Sequence, residues 1–191
     1  KEGKDWEIEC ENRSSIVTIL ALHGGGIEPA TTELAYTIAH CGDYNYFSFK
    51  GMRREGNNEL HVTSTHYDDQ IALDLVRGSQ RTVAIHGCEG NESVAYIGGS
   101  DDRLIELITE SLEDIGISVR EAPHHISGTQ ENNIVNMTQT QGGVQLELTA
   151  QLRKELFKNR KSSRKNRENK DNWDDLMYDF ADAMKKAIER A

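Results

Sequence analysis

Two histidines and a glutamate carry the chemistry that can be read from this chain. An apolar run from Ile16 to Leu22 stops at His23, passes three glycines and reaches Glu28. A second run, Thr82 to Ile85, stops at His86 and Gly87. Each run reads as a β-strand with a histidine at its carboxyl end, and the glycine loop adds a carboxylate five residues after His23. Two imidazoles and one carboxylate leave a coordination position open for water, which is the pattern of a catalytic zinc site. Plainer readings exist. A histidine before glycine often marks only a turn, and a triple glycine can cradle a phosphate at a helix N-terminus.

A fourth residue bears on the choice. In GGVQLELT, residues 142 to 149, Glu147 sits among Val144, Leu146 and Leu148. If buried and ionised it needs a partner, because an unpaired buried carboxylate is costly. If the strand simply alternates, Glu147 and Gln145 face solvent together. Both readings stand at this point.

Taken in order, the motifs resemble the poly-γ-glutamate hydrolase family, zinc enzymes of Bacillus phages and their relatives, with a fold related to the zinc carboxypeptidases. The likeness runs from about residue 16 to 157: HxGGIExxTTEL from His23, HG at 86, GVQLE ending at Glu147, LHVTSTHYDD at 60 to 69 and NNIVN at 132 to 136. The resemblance implies one Zn²⁺ per chain held by His23, Glu28 and His86, with Glu147 as the catalytic glutamate. It further implies metal-assisted hydrolysis of γ-glutamyl amides in poly-γ-glutamate, Glu147 passing a proton from water to the departing amine.

Such a polymer carries a free carboxylate on every residue, so cations are expected near the metal. The candidates are Lys50, Arg53, Arg54, Arg81 and Arg120, each of which is equally readable as a surface residue. The family's Asn-Arg pair near NIVN, which grips a substrate carboxylate, is here Asn136 and Met137. Asn133 or Asn136 can still donate a hydrogen bond, but the two-pronged, charge-assisted grip is missing. That keeps a second reading open, a zinc peptidase or deacylase acting on another amide. A third is a non-catalytic domain whose basic tract binds a polyanion.

His61 and His66 follow strand-like alternation and could line the cleft, with His66 able to pair with Asp68 or Asp69; capping or surface roles serve them equally. His40, His124 and His125 are assigned no function. Three cysteines, Cys10, Cys41 and Cys88, do not form a disulfide framework. Cys88 is expected to be a spectator thiol despite lying two residues after His86.

Positioning these residues takes alternating strands and helices. After the strand at 16 to 22, strand-like runs come at 45–49, 60–65, 82–86, 94–97, 117–121 and 143–149. Helices are expected at 31–41 (Thr31 or Thr32 capping), 69–77, 101–115 (Ser100 capping), 150–157 and 173–189. That pattern predicts an α/β fold of zinc-carboxypeptidase type, one domain with a mixed sheet flanked by helices on both faces. Ligands in such sheets gather beyond the carboxyl ends of the strands. In the last helix, Trp173, Leu176, Met177, Phe180, Met184 and Ile188 share one face and are expected to cover the sheet.

A chain of 191 residues with two prolines and no Gly/Ser linker suits a single catalytic domain spanning 1–191. Net charge is −10. Residues 153 to 170 nevertheless hold nine basic and two acidic side chains, and the part at 158–170 is expected to be a solvated, partly disordered loop. The acidic remainder argues against nucleic acid as a partner. No stretch approaches the roughly 20 apolar residues that span a membrane. The first residue is lysine, so a processed or trimmed N-terminus is expected. The sequence reading is a monomer acting on an anionic polymer or peptide-like substrate, made in the cytoplasm and acting outside the cell after host lysis or export.

Overall fold

The computed structural model describes residues 1–191. Its strands are β1 (Trp6–Glu11), β2 (Val17–Gly25), β3 (Asn45–Gly51), β4 (Arg81–Cys88), β5 (Val94–Gly99), β6 (Ser118–Glu121) and β7 (Val144–Thr149). They form one seven-stranded sheet in the order β1-β3-β2-β4-β7-β5-β6. The central four, β3, β2, β4 and β7, are parallel, while β1 lies antiparallel to β3 and β5 antiparallel to β7. The helices are α1 (Thr31–Gly42), α2 (Gln70–Arg77), α3 (Asp102–Asp114), α4 (Ala150–Glu155), α5 (Arg164–Arg167) and α6 (Asp175–Arg190).

The expected mixed sheet between helices is present. Every residue of β2 except Gly25 is buried, because helices cover both faces of a central parallel strand. Its side chains divide between two cores. Ile19 and Ala21 join a 33-residue cluster with α1, α3 and α6, and Leu20 and Leu22 join a ten-residue cluster with α2. Asp69, Asp101, Thr149 and Asp174 cap α2, α3, α4 and α6 through their side-chain oxygens.

Several expectations change. The segment 60–65 is no strand: a 3-10 turn at Asn57–Leu60 leads into an irregular loop that carries His61 and Val62 past the end of β2. The edge strand β1 was not expected, although Trp6, Ile8 and Cys10 alternate with Glu7, Glu9 and Glu11, the period-two signal of a one-sided strand. Asp101, not Ser100, caps α3. Neither Thr31 nor Thr32 caps α1, because both hydroxyls shape the preceding loop: Thr31 Oγ1 donates to the Glu28 carbonyl at 2.9 Å, and the Gly25 N–H donates to Thr32 Oγ1 at 3.0 Å. Helix α6 buries the expected face, but packs mainly on α1 and α3 rather than on the sheet itself.

The basic tract is ordered. Short helical turns follow one another at Lys158–Arg160, Arg164–Arg167 and Lys170–Asn172. Arg167 is the pin: buried, it donates to the Gly25 carbonyl at 3.2 Å, the Ser162 carbonyl at 2.6 Å and Glu33 at 3.3 Å. A guanidinium with three oxygen partners holds the segment to the body against the mutual repulsion of its other cations. No helix is long and apolar enough to cross a membrane.

Candidate metal centre

β2, β4 and β7 deliver His23, His86 and Glu147 to one edge of the sheet, and His86 and Glu147 are direct register partners. Glu28 reaches the same point because the loop doubles back, its N–H donating to the His23 carbonyl at 2.8 Å. Gly25 makes this turn possible. It holds φ +64°, and a Cβ there would meet the Gly51 carbonyl at 2.5 Å.

The donor atoms converge. Glu28 Oε1 lies 3.0 Å from His23 Nδ1 and 3.5 Å from His61 Nε2. Glu28 Oε2 lies 3.6 Å from His86 Nδ1 and accepts the Gly87 N–H at 2.8 Å. The two Nδ1 atoms of His23 and His86 are 3.1 Å apart. Donor atoms of His23, Glu28 and His61 all fall within 4.8 Å of one another.

Tautomers decide what this arrangement can hold. His23 Nε2 lies 2.7 Å from the Val62 carbonyl, which can only accept, so Nε2 carries the hydrogen. Burial holds the pKa of His23 below its ordinary value, against the pull of Glu28, and favours the neutral ring. Its Nδ1 is therefore a bare lone pair, facing a carboxylate oxygen and another imidazole nitrogen. Such a set needs a donor or a cation at its centre. His86 Nδ1–H can donate to the lone pair, burial lowering the pKa of His86 but Glu28 and Glu147 raising it on balance, or a divalent cation can sit among the nitrogens. Buried His86 Nε2 has no hydrogen-bond partner at all. Burial alone would raise Glu28, yet the imidazoles of His23, His61 and His86 gathered around it hold its carboxyl far below the usual range. Two nitrogens and an ionised carboxylate, one nitrogen oriented by a backbone carbonyl, are the donor types zinc takes.

Glu147 is buried, as the alternating-strand reading did not expect, because β7 lies inside the sheet and both its faces are covered. Burial pushes its pKa up, with His86 pulling the other way. A chain of amides fixes its orientation. The Val135 N–H donates to Asn133 Oδ1, leaving Asn133 Nδ2 to donate to Gln145 Oε1 at 3.1 Å. Gln145 Nε2 then donates to Glu147 Oε1 at 2.9 Å and to the Ile126 carbonyl at 3.2 Å.

The other expected substrate residues are placed elsewhere. Asn133 is part of that chain. Asn136 is buried with its amide donating to the carbonyls of Gly128 and Gln130 and accepting the Gly143 N–H. Asn136 has both amide donors engaged and Asn133 gives one of its two to Gln145, so both tie down the loops before β7. Met137 packs against the smaller core. Arg81 begins β4, five residues and roughly 16 Å of strand from His86, at the opposite edge of the sheet. Arg120 is exposed on β6 and paired with Glu92 at 2.9 Å. Lys50, Arg53 and Arg54 line a neighbouring cleft.

Three neighbours of the centre were missed or left unassigned. His61 stacks on His23 with centroids 3.8 Å apart, whereas His66 is exposed; nothing in the sequence ranks one above the other. Gln145, which alternation reads as exposed, is buried against Glu147. Arg153 is buried and donates to the carbonyls of Leu148, Pro29 and Cys88, fastening the ends of β7 and β4 to the Glu28 loop. Gly87 leaves room for it, since a Cβ there would lie 2.8 Å from the guanidinium. Cys88 contributes its carbonyl to this contact, and burial pushes its thiol up to about 11.

Comparison with known proteins places the chain. The family model described as poly-gamma-glutamate hydrolase matches residues 1–183. This chain belongs to that family. Within the poly-γ-glutamate hydrolase family it is similar to the structure of a bacteriophage poly-gamma-glutamate hydrolase, with TM-score 0.94 and 32% identity, covering 98% of this chain and 90% of that one. It is also similar to a structure of YndL described as zinc-free, with TM-score 0.90 and 29% identity over 97% of this chain and 90% of that one. Among curated proteins, it is 39% identical over 143 residues to the SPbeta prophage-derived protein YoqZ of Bacillus subtilis (strain 168), covering 74% of this chain. It spans 52% of YoqZ's own length and 62% of that of YndL from the same organism.

Proposed function

We propose that this member of the poly-γ-glutamate hydrolase family is a zinc-dependent hydrolase of γ-glutamyl amide bonds. The observation that carries the proposal is the His23 lone pair, fixed by the Val62 carbonyl and aimed at Glu28 and His86 beside a buried, oriented Glu147. The relative YndL, whose structure is described as apo and zinc-free, supports the choice of metal.

In this reading His23, Glu28 and His86 hold the ion. The chemistry a bound zinc supplies is acidification of a water and polarisation of the scissile carbonyl. Gln145 donates to Oε1 of Glu147, so Oε2 is the oxygen free to take the proton from the attacking water. The same carboxylic acid then protonates the departing amine. The Val62 carbonyl keeps His23 in one tautomer and one orientation throughout.

The test pairs zinc content with cleavage of purified poly-γ-glutamate, for the wild type and Glu147→Ala. Zinc in both, with chain shortening only in the wild type, is the expected result. Zinc with no shortening in either would move the activity to a different amide. No zinc under replete conditions would overturn the metal reading.

A further inference from the structure

A cleft of about 700 Å³ opens beside the metal centre, and the basic tract forms one of its walls. Its other walls are Gly25 and Gly26 after β2 and the segment from Lys50 to Arg54 at the end of β3. Since β3 neighbours β2, and β2 and β4 carry His23 and His86, the cleft and the centre share the carboxyl edge of the sheet. Only the glycine loop divides them. Adjacent strands lie about 4.8 Å apart, so an extended polymer crossing the strand ends passes from one to the other within two or three of its residues.

The cleft is lined by six basic and three acidic side chains, in a chain of net charge −10. Most of the cations are already engaged. Glu9 takes Lys50 at 2.7 Å, Glu168 takes Arg164 at 2.7 Å, and Glu33 takes Arg167 at 3.3 Å. Arg53 is paired with Glu59 at 2.7 Å. Arg54 and Lys170, on opposite walls, have no carboxylate partner. Lys170 Nζ sits 4.6 Å from the ring centre of Tyr36 and 5.5 Å from that of Trp173, which hold it at the cleft without neutralising it. Tyr36 and Trp173 are the aromatic residues lining the cleft, and Lys170 lies over both rings where a nucleic-acid base would stack.

We propose that this cleft is a second, non-catalytic subsite for a polycarboxylate, in which Arg54 and Lys170 hold free carboxylates a few residues from the scissile amide. The proposal rests on the polymer reading above. It makes the basic tract, which the catalytic centre does not use, part of substrate capture.

The experiment compares the zinc-loaded wild type with Arg54→Gln/Lys170→Gln, both positions being exposed. Direct binding of poly-γ-glutamate is measured across a salt series, alongside KM for the polymer and for a γ-linked tripeptide. The expected result is polymer binding and KM weakened roughly tenfold, a shallower salt dependence and an unchanged tripeptide KM. Polymer binding unchanged within twofold, or equal weakening for tripeptide and polymer, would overturn the subsite even if cleavage stands. Polymer that binds through Arg54 and Lys170 but is never cut would support the subsite and remove the catalytic reading. Tighter binding of a polyuridylate probe than of poly-γ-glutamate would make the cleft a nucleic-acid site instead.

Discussion

Gln145 and Glu147, two residues apart on β7, point the same way, and the amide of one donates to the carboxylate of the other at 2.9 Å. Nothing in this pair is free to turn over, because Asn133 and the Ile126 carbonyl dictate which end of the Gln145 amide faces Glu147.

Asn133→Asp is therefore expected to act at a distance. A carboxylate at position 133 would draw the Gln145 amide nitrogen towards itself and turn the amide oxygen towards Glu147. Loss of one charge-assisted hydrogen bond should lower kcat about tenfold while KM and zinc content hold. Gln145→Met should lower kcat similarly. Steady-state kinetics with metal analysis checks both, and a fall in KM-dependent binding with kcat intact would contradict the orienting role. Glu147→Gln should lose more, roughly 10²- to 10⁴-fold, as a missing general base does.

In the proposed reading, metal should stabilise the fold through His23, Glu28 and His86. Adding zinc to the stripped protein at about 100 times its Kd is expected to contribute about 2.7 kcal/mol, read as a rise in Tm. His86→Ala should abolish that rise. A variant that responds like the wild type would exclude His86 as a ligand.

Arg153 should matter more to stability than its position on a short helix suggests. Its three carbonyl acceptors lie at 2.9 to 3.1 Å on different segments. Arg153→Met strands buried carbonyls and is expected to cost about 2–4 kcal/mol in urea unfolding. Arg153→Lys should not restore it, since a single ammonium lacks the planar fork that spans three acceptors. Full recovery by lysine would show that charge alone accounts for the residue.

Cys41 gives a pH prediction with a definite sign. Burial, then the hydrogen bond its thiol donates to Asp182 at 3.1 Å, pushes its pKa up to about 11. A raised thiol pKa leaves the neutral form dominant at pH 8, so alkylation should run about a hundredfold slower than for free cysteine and accelerate towards pH 11. Asp182→Asn should speed it several-fold at pH 8. Mass-spectrometric alkylation rates test this, and a Cys41 as fast as free cysteine would refute it.

The strands that end at His23 and His86, the loop to Glu28 and the β7 run were legible from local pattern alone. Apolar runs, glycines and their spacing are properties of neighbouring residues, and such patterns define strands and turns before any packing occurs. The chain thereby determined a mixed α/β sheet with three potential donors at one edge. What it left undecided depends on contacts between distant segments. The Val62 carbonyl that sets the tautomer of His23 lies 39 residues away, and the Pro29 carbonyl held by Arg153 lies 124 away. The burial of Glu147 depended on β7 entering the sheet beside β4, not on its own alternation. His61 acquired its place from a loop whose strand-like alternation pointed to a strand, and the basic tract became a wall because one of its nine cations, Arg167, found a carbonyl and a carboxylate on the body. Tertiary structure made those decisions, since hydrogen-bond orientation and burial exist only once the packed neighbours are present.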